Sequence, residues 1–392
     1  MSDTASKSEE LFQLYEALSD TSADLEPEEQ ADQKALDAIF AASQWQLIWR
    51  KFKRNKVAII GGIVVLLYYL AALLAGFVAP YTLETRFIKY IHMPPQRIRF
   101  LNEGKLQPHV CDVELTIDEN LRKHYIPNCA ERFPLQFFAR GESYTLLGMI
   151  GTDVHLFQTS DGIVSLLGTD RQGRDMFSRI LYGSQVSLTI GLLGVIMSLL
   201  FGSVLGVVSG YYGGWIDDFM QRLIELVRSF PAIPLWMALS AAVPPHWPPQ
   251  RTYFAVTLIL SLIGWTWLAR QLRGKVLSLR HEDFVLAAKI TGATDAWVIF
   301  RHLIPATFSH IIVVSTLAMP SMILAETSLS FLGLGLRPPV TSWGVLLKEV
   351  QNIQSIALYP WVFTPAIAIA LLILAFNFLG DGLRDAADPY TM

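Results

Sequence analysis

EDFVLAAKITGATDAWVIFRHLIP, residues 282–305, has the make-up of a soluble helix yet stands between two long apolar runs. It reads as a soluble-looking helix inside a membrane protein. Ala287, Ala288 and Gly292 are small and sit at near one-turn spacing, so one helix face lets another protein's surface approach closely. Phe284, Ile290, Trp297 and Ile299 supply apolar anchors, and Pro305 is expected to end the unit before the next run. Composition alone fits two readings: a socket for a cytosolic partner, or an interfacial helix whose alanines serve helix propensity.

The remaining chain settles the class. Of 392 residues, 52% are apolar and 17% charged, which departs from soluble averages and points to a polytopic membrane protein. The net charge of -3 decides little; its distribution matters, with Lys and Arg crowded into short segments and acids at the N-terminus. No cleavable signal peptide is expected, because the polar, acidic start carries no apolar core. SEELFQLYEALSD and LEPEEQADQKALDAIF within residues 1–42 have short helical spacing and read as a cytosolic tail.

WQLIWRKFKRNK ends at Lys56, where Arg50, Lys51, Lys53, Arg54 and Lys56 precede VAIIGGIVVLLYYLAALLAGFVA. An uncharged run of this length spans a bilayer, and the basic cluster holds its start in the cytoplasm, with Trp45 and Trp49 as interfacial anchors. From Tyr81 to about Arg179 no run is long enough to span. Pro94, Pro95, Pro108, Pro127 and Pro134 are interleaved there with aromatics and charges, which predicts a small external lobe. Cys111 and Cys129 both fall in it, so an oxidising exterior predicts a disulfide stabilising the lobe by roughly 3 kcal/mol; two unpaired thiols are the alternative.

The second span, about Gln185 to Ser209, carries Gly194, Ser198, Gly202, Gly206 and Gly210 at four-residue intervals, a small-residue stripe that predicts close helix packing. GYYGGW then turns the chain back. The third span opens amphipathically, with Asp218, Arg222 and Glu225 on one face and expected to pair, and Pro231 and Pro234 predict a kink within it. After PPHWPPQ, span four runs from about Tyr253 to Leu268 and ends beside Arg270, Arg273 and Lys275. That second basic cluster places the 282–305 stretch on the cytosolic side. Span five, about Ala306 to Thr327, contains Glu326, a candidate for an external gate or path, although pairing with a neighbouring helix is the competing expectation. SFLGLGLRPPVTSWG follows as irregular backbone, tolerated at membrane depth only when packed in protein or lining a cavity. Span six covers about Ile356 to Phe378 and leaves Asp381, Arg384, Asp385 and Asp388 in the cytoplasm.

Catalytic signatures are missing. Gly274 and Lys275 lack the preceding glycine and following hydroxyl of a phosphate loop, and no HExxH or GxSxG occurs. Isolated histidines such as His92, His109, His155 and His302 form no metal-ligand spacing and read as interfacial or hydrogen-bonding residues. Acids arranged as a proton relay are scarce, so energy for pumping is expected from elsewhere. A secondary transporter would need an inverted repeat or intramembrane coupling-ion ligands, and neither is visible.

WRKFKRNKVA, LGTDRQGRDMFSRILYGSQVSL at Leu167 to Leu188, and GYYGGWIDDFMQRLIELVRSFP at Gly210 to Pro231 carry a resemblance. LAAKITGATDAWVIFRHLIP, SFLGLGLRPPVTSWG and FNFLGDGLRDAADP continue it in order. From about Gln44 onward the chain resembles the membrane permease subunits of bacterial ABC importers, of the OppC/DppC type that takes up dipeptides, oligopeptides and nickel. The family's coupling helix, an EAA motif followed by three residues and Gly, maps onto Ala287, Ala288 and Gly292, with Leu286 where its acid would be.

The resemblance implies an all-α polytopic membrane protein with six transmembrane helices of type I importer architecture and an external lobe between helices 1 and 2. It implies the divisions 1–42 (acidic cytoplasmic tail), 43–80 (basic segment and first helix), 81–180 (periplasmic lobe), 181–381 (core with coupling loop 277–305) and 382–392 (cytoplasmic tail). The implied ATPase-coupling residues are Phe284, Ala287, Ala288, Gly292 and Pro305. The expected partners are a homologous second permease, two ATP-binding subunits, a periplasmic substrate-binding protein and membrane lipid, without nucleic acid. The chain itself is expected to hold no cofactor and catalyse nothing, ATP being used by the partners. Its expected place is the bacterial inner membrane, multi-pass, both termini cytoplasmic. Peptides are the expected cargo; oligosaccharides, opines or nickel are the alternatives.

Overall fold

Uncharged apolar runs become the long helices, and a computed structural model shows where each begins and stops. It describes residues 44–102, 105–119, 123–146, 148–244 and 246–387. The tails expected over 1–42 and beyond Ala387, with Asp388, and the turn residue Pro245 lie outside the described residues or partly so. Residues 56–384 form one compact unit, and 44–55 with 385–387 belong to a second. In the second unit, α1 (Gln44–Arg54) gathers Lys51, Lys53 and Arg54 in its last turn, where cations complement the helix dipole. Trp49 stacks on Phe52 at 5.7 Å, and the Lys53 ammonium lies 5.3 Å above the Trp49 ring.

Among the described residues, five helices are long and apolar enough to cross a membrane. They are α2 (Lys56–Leu73), α3 (Met176–Tyr212), α6 (Pro249–Leu279), α8 (Phe308–Phe331) and the run Pro360–Ala387, whose α-helical part is α9 (Thr364–Ala387). A bent pair, α4 (Gly214–Ser229) and α5 (Ala232–Ala241), raises the number to six if counted as one span. The expected kink is a break of 83°. Proline pushes the residue before it out of the helical region, and Phe230, ahead of Pro231, is extended at φ -86° and ψ 137°. Pro234 falls in the first turn of α5, where its missing N–H costs nothing.

α3 starts at Met176, ahead of the expected Gln185, because Asp175 caps it. The carboxylate accepts hydrogen bonds from the Ser178 backbone N and hydroxyl, both at 2.7 Å, and from the Ser165 hydroxyl at 2.6 Å. Trp343, fully buried at the centre of the helical core, donates from its backbone N to Ser187 Oγ at 3.1 Å and from its indole to the Ile180 carbonyl at 3.0 Å. These bonds tie the irregular segment after α8 to α3.

The all-α expectation fails between α2 and α3. Strands β1 (Arg99–Asn102), β2 (Lys105–Ile117), β3 (Lys123–Leu146) and β4 (Ile150–Thr159) form an antiparallel sheet in that order. Two features hid it. The first half of β3 pairs with β2 and the second, from Leu135, with β4, so each half has a free edge and Pro127 and Pro134 need no ladder donor there. Register shifts at Cys111/Asp112 and Arg140/Tyr144 interrupt the inside–outside alternation along the strands. Tyr81, Met93, Val110, Val113, Leu135, Phe157, Ile163 and Val164 form the lobe's own core.

Candidate functional site

The stretch that opened the sequence reading folds as α7 (Asp283–Ile290), a turn, the short helix Asp295–Val298, a π-helical turn Ile299–Leu303 and a last helical turn Ile304–Ala306. Its inner face is apolar: Val285, Ala288, Val298, Ile299 and Leu303 bury against Val207 and Tyr211 of α3 and Val276 of α6. Tyr211 Oη donates to Asp295 Oδ1 at 2.6 Å, and the Lys289 ammonium sits 4.5 Å over the Tyr211 ring. The outer face is apolar too. Phe284, Leu286, Ala287, Trp297 and Phe300 are exposed, and Ile290 is 86% exposed.

One of the expected contact residues is corrected by this geometry. Ala288 faces its own chain at 8% exposure, so Ala287 alone of the two alanines points outward. Gly292, at φ +86° with open space around it, follows the last turn of α7 as the left-handed residue that ends a helix. Pro305 lies in the short turn Ile304–Ala306, where a missing N–H is tolerated, and that turn closes at Thr307 before α8 begins at Phe308. Phe284 keeps an exposed ring, 6.0 Å from that of His302, which also meets Trp297 edge-on at 4.7 Å.

The small-residue stripe serves two helices. A Cβ on Gly194 would lie 3.0 Å from Met322 of α8. Ser198 donates to the Ser261 carbonyl of α6 at 3.3 Å, and Gly202, Gly206 and Gly210 stand against α6 backbone at Trp265, Ala269 and Arg273. Glu326 is fully buried within the chain. Its carboxylate accepts from Ser187 at 3.0 Å and Ser330 at 2.8 Å, which makes it a buried joint between α3 and α8. Cys111 and Cys129 are bonded across β2 and β3 with Cα atoms 4.7 Å apart. Of the acid–base set on α4, Arg222 pairs with Glu225 at 3.0 Å in an exposed position. The more enclosed pair on α4 is buried Asp217 with half-buried Arg273 of α6, joined also by Ser209.

A charged cluster at the foot of the lobe was missed from sequence. In TDRQGRD, Asp170 Oδ1 accepts from the backbone N of Gln172 at 2.7 Å and of Arg174 at 2.9 Å. Asp170 also takes Arg174 Nε at 2.8 Å and the Arg179 guanidinium, while Glu349 lies 3.3 Å from Arg179 Nη1 and 3.8 Å from Arg174 Nη2. Burial, then the Asp170 charge, pushes the Glu349 carboxyl above its ordinary range. The Asp170–Arg174 spacing was a readable signal; Glu349, so distant in the chain, gave none. This cluster borders a cavity of 1230 Å³ between residues 83–92, the Asp170–Arg179 turn and residues 338–362. A second cavity, 760 Å³, opens beside the α4–α5 break and is lined by Arg228, Phe230, Trp236, Trp267 and Met322. Glu326 lines neither. Among the described residues no cluster of His, Cys, Asp and Glu is arranged to hold a metal ion.

A family described as binding-protein-dependent transport system inner membrane component matches residues 202–391, and one described as the N-terminal TM domain of oligopeptide transport permease C matches 43–95. The chain is 32% identical over 345 residues to a glutathione transport system permease protein of Pectobacterium atrosepticum, covering 88% of this chain and 91% of that one. It is 41% identical over 224 residues to a dipeptide transport system permease protein of Alkalihalophilus pseudofirmus, covering 57% and 71%. An oligopeptide transport system permease protein of Bacillus subtilis is 35% identical over 223 residues, covering 57% and 70%.

Proposed function

The chain belongs to the family of binding-protein-dependent transport system inner membrane components, and on that premise we propose that it forms half of the translocation pathway of a peptide importer. The other half is a second, homologous permease; two ATP-binding subunits dock from the cytoplasm and a periplasmic binding protein delivers the solute. Peptide cargo is supported by the relatives, whose names specify dipeptide, oligopeptide and glutathione transport. ATP is hydrolysed by the partners, and this chain contributes the path and the coupling surface.

On this reading the bent α4–α5 pair counts as one span, giving six. Lys and Arg near the ends of spans mark the cytoplasmic side. The cluster from Arg50 to Lys56 and the pair Arg270 and Lys275 then put both termini and the 282–305 segment in the cytoplasm, with the sheet lobe outside. The Cys111–Cys129 bond in the lobe fits an oxidising periplasm.

One observation carries the coupling role. The 282–305 segment satisfies its inner face within its own chain and still presents Phe284, Leu286, Ala287, Ile290 and Trp297 to solvent. A solvent-exposed apolar face beyond what the fold requires is a partner surface. Ile290→Glu places a charge at its most exposed point without touching the inner face. ATP-dependent uptake in proteoliposomes is expected to fall at least tenfold, with the ATP-binding subunits lost on affinity purification of the permease. Undiminished uptake with retained subunits would overturn the docking assignment.

A further inference from the structure

We propose that the charged cavity at the foot of the lobe is a carboxylate site, and that it receives the C-terminal carboxylate of the peptide in transit. The second half of this proposal rests on the peptide reading above; the first half does not.

The charge balance points that way. Arg86, Arg171, Arg174, Arg179 and Lys348 line the cavity against Glu84 and Glu349, five cations to two carboxylates, and Asp170, 0% exposed, stands behind them. Counting Asp170 still leaves two positive charges in excess. The two innermost guanidiniums are held in place, since Asp170 accepts from both Arg174 and Arg179. Arg179 is 3% exposed and its guanidinium is already engaged by Asp170 and Glu349, so the cation open to an occupant is Arg171 at the cavity wall. A planar guanidinium fork selects a planar carboxylate.

Size and position agree with a solute rather than a bare ion. At 1230 Å³ the cavity exceeds the few hundred to about 1,000 Å³ usual for small-molecule pockets, so a short peptide fits beyond its carboxylate. Gln172, Gln351, Asn352 and Ser355 on the same walls offer uncharged donors and acceptors to peptide amides. The walls come from α3, through Arg179, and from the segment after α8, through Pro338 and Val345, so an occupant touches two parts of the helical core at once.

The rival is a purely structural network that ties the lobe to α3. Arg171 and Lys348 separate the two. The Arg171 side chain is 66% exposed and 3.9 Å from Glu349, and Lys348 takes no part in the Asp170 bonds, so neither is needed for the buried cluster. The complete importer carrying Arg171→Gln and Lys348→Gln, with its ATP-binding subunits and binding protein, is reconstituted in proteoliposomes. Uptake of a tripeptide and of its C-terminal amide is measured, each variant divided by the parent complex for the same cargo, which cancels the binding protein's own preference. The rise in KM for the free acid is expected to exceed that for the amide about tenfold, the ratio for losing a charge-assisted hydrogen bond. Equal rises for acid and amide would overturn the proposal.

A second measurement does not depend on cargo. Phenylglyoxal labelling of Arg171 in the parent complex, read by mass spectrometry, is compared in acetate and in acetamide at matched ionic strength. Acetate is expected to slow labelling severalfold, and identical rates would overturn the carboxylate site itself. Slowed labelling in a parent complex that transports neither peptide would uphold the carboxylate site and overturn the peptide reading.

Discussion

Gly206 has no room for a methyl group. A Cβ there would lie 2.5 Å from the Ala269 carbonyl oxygen and 2.8 Å from Ala269 Cα, both backbone atoms of α6 that cannot rotate away. Gly206→Ala therefore forces α3 and α6 apart, at about 1–3 kcal/mol by analogy with overpacked cores. Gly274, inside α6 itself, has nothing within 4 Å of its would-be Cβ. Gly274→Ala removes a helix-weakening residue and is expected to be neutral or stabilising by up to about 1 kcal/mol. Thermal unfolding of the detergent-purified subunit checks the contrast: the midpoint should drop for the first and hold or rise for the second. Equal midpoints would mean that the stripe is not a packing seam. The four-residue spacing was legible in the sequence, but its division between α8 at Gly194 and α6 from Ser198 onward was not, because spacing names a face and not the helix opposite.

Among the elements, the lobe shows what hydropathy cannot read. The spans announced themselves by uncharged length, whereas β2 and β3 lose their alternation at two register shifts and β3 carries prolines that a central strand would exclude. The phase of α7 was equally ambiguous. Val285 and Ala288 go inward while Leu286, Ala287 and Ile290 go outward, and both faces are apolar, so the sequence could show a helix without showing which side was core. The lobe meets the chain leaving α2 through His155 on the Ala79 carbonyl, through the Phe77 and Phe138 rings, and through one carboxylate. Glu142 on β3 accepts from the Thr82 backbone N at 2.9 Å and from the Thr85 hydroxyl. Burial pushes its carboxyl up, but the hydrogen bonds from Thr85 and Thr82 outweigh it and hold the group below its ordinary value of 4.5. A depressed carboxylate contributes stability that is present above the unfolded value and lost as pH falls through the folded one. Glu142→Gln should thus loosen the lobe at pH 7, seen as faster hydrogen exchange in β3 and β4, and the difference from the parent should shrink as pH drops below 4.5. A difference independent of pH would assign the effect to shape instead of charge.

At the scale of the whole molecule, the docking segment and the charged cluster stand near opposite ends of one helix. α3 carries Arg179 in its first turns and Tyr211 in its last, 37 residues from Met176 to Tyr212. On the proposed reading, closure of the ATP-binding subunits moves the 282–305 segment, and α3 and α6 can follow only as far as they are attached to it. The polar part of that attachment is Tyr211, which donates to Asp295 and lies under Lys289, beside the apolar contacts of Val207 and Val276. A packed link of this kind transmits a discrete rearrangement, because close-packed interfaces switch rather than stretch. Tyr211→Leu keeps apolar volume in the Val207, Val276 and Leu303 cluster while removing the hydrogen bond and the ring beneath the ammonium. The exposed outer face is untouched, so ATP-binding subunits should still copurify and hydrolyse ATP, while peptide imported per ATP consumed should fall severalfold. If uptake and hydrolysis fell in proportion, the link would serve assembly alone. The motion would then have to enter the helices elsewhere, and the ion pair of Asp217 on α4 with Arg273 on α6 is the next joint to break.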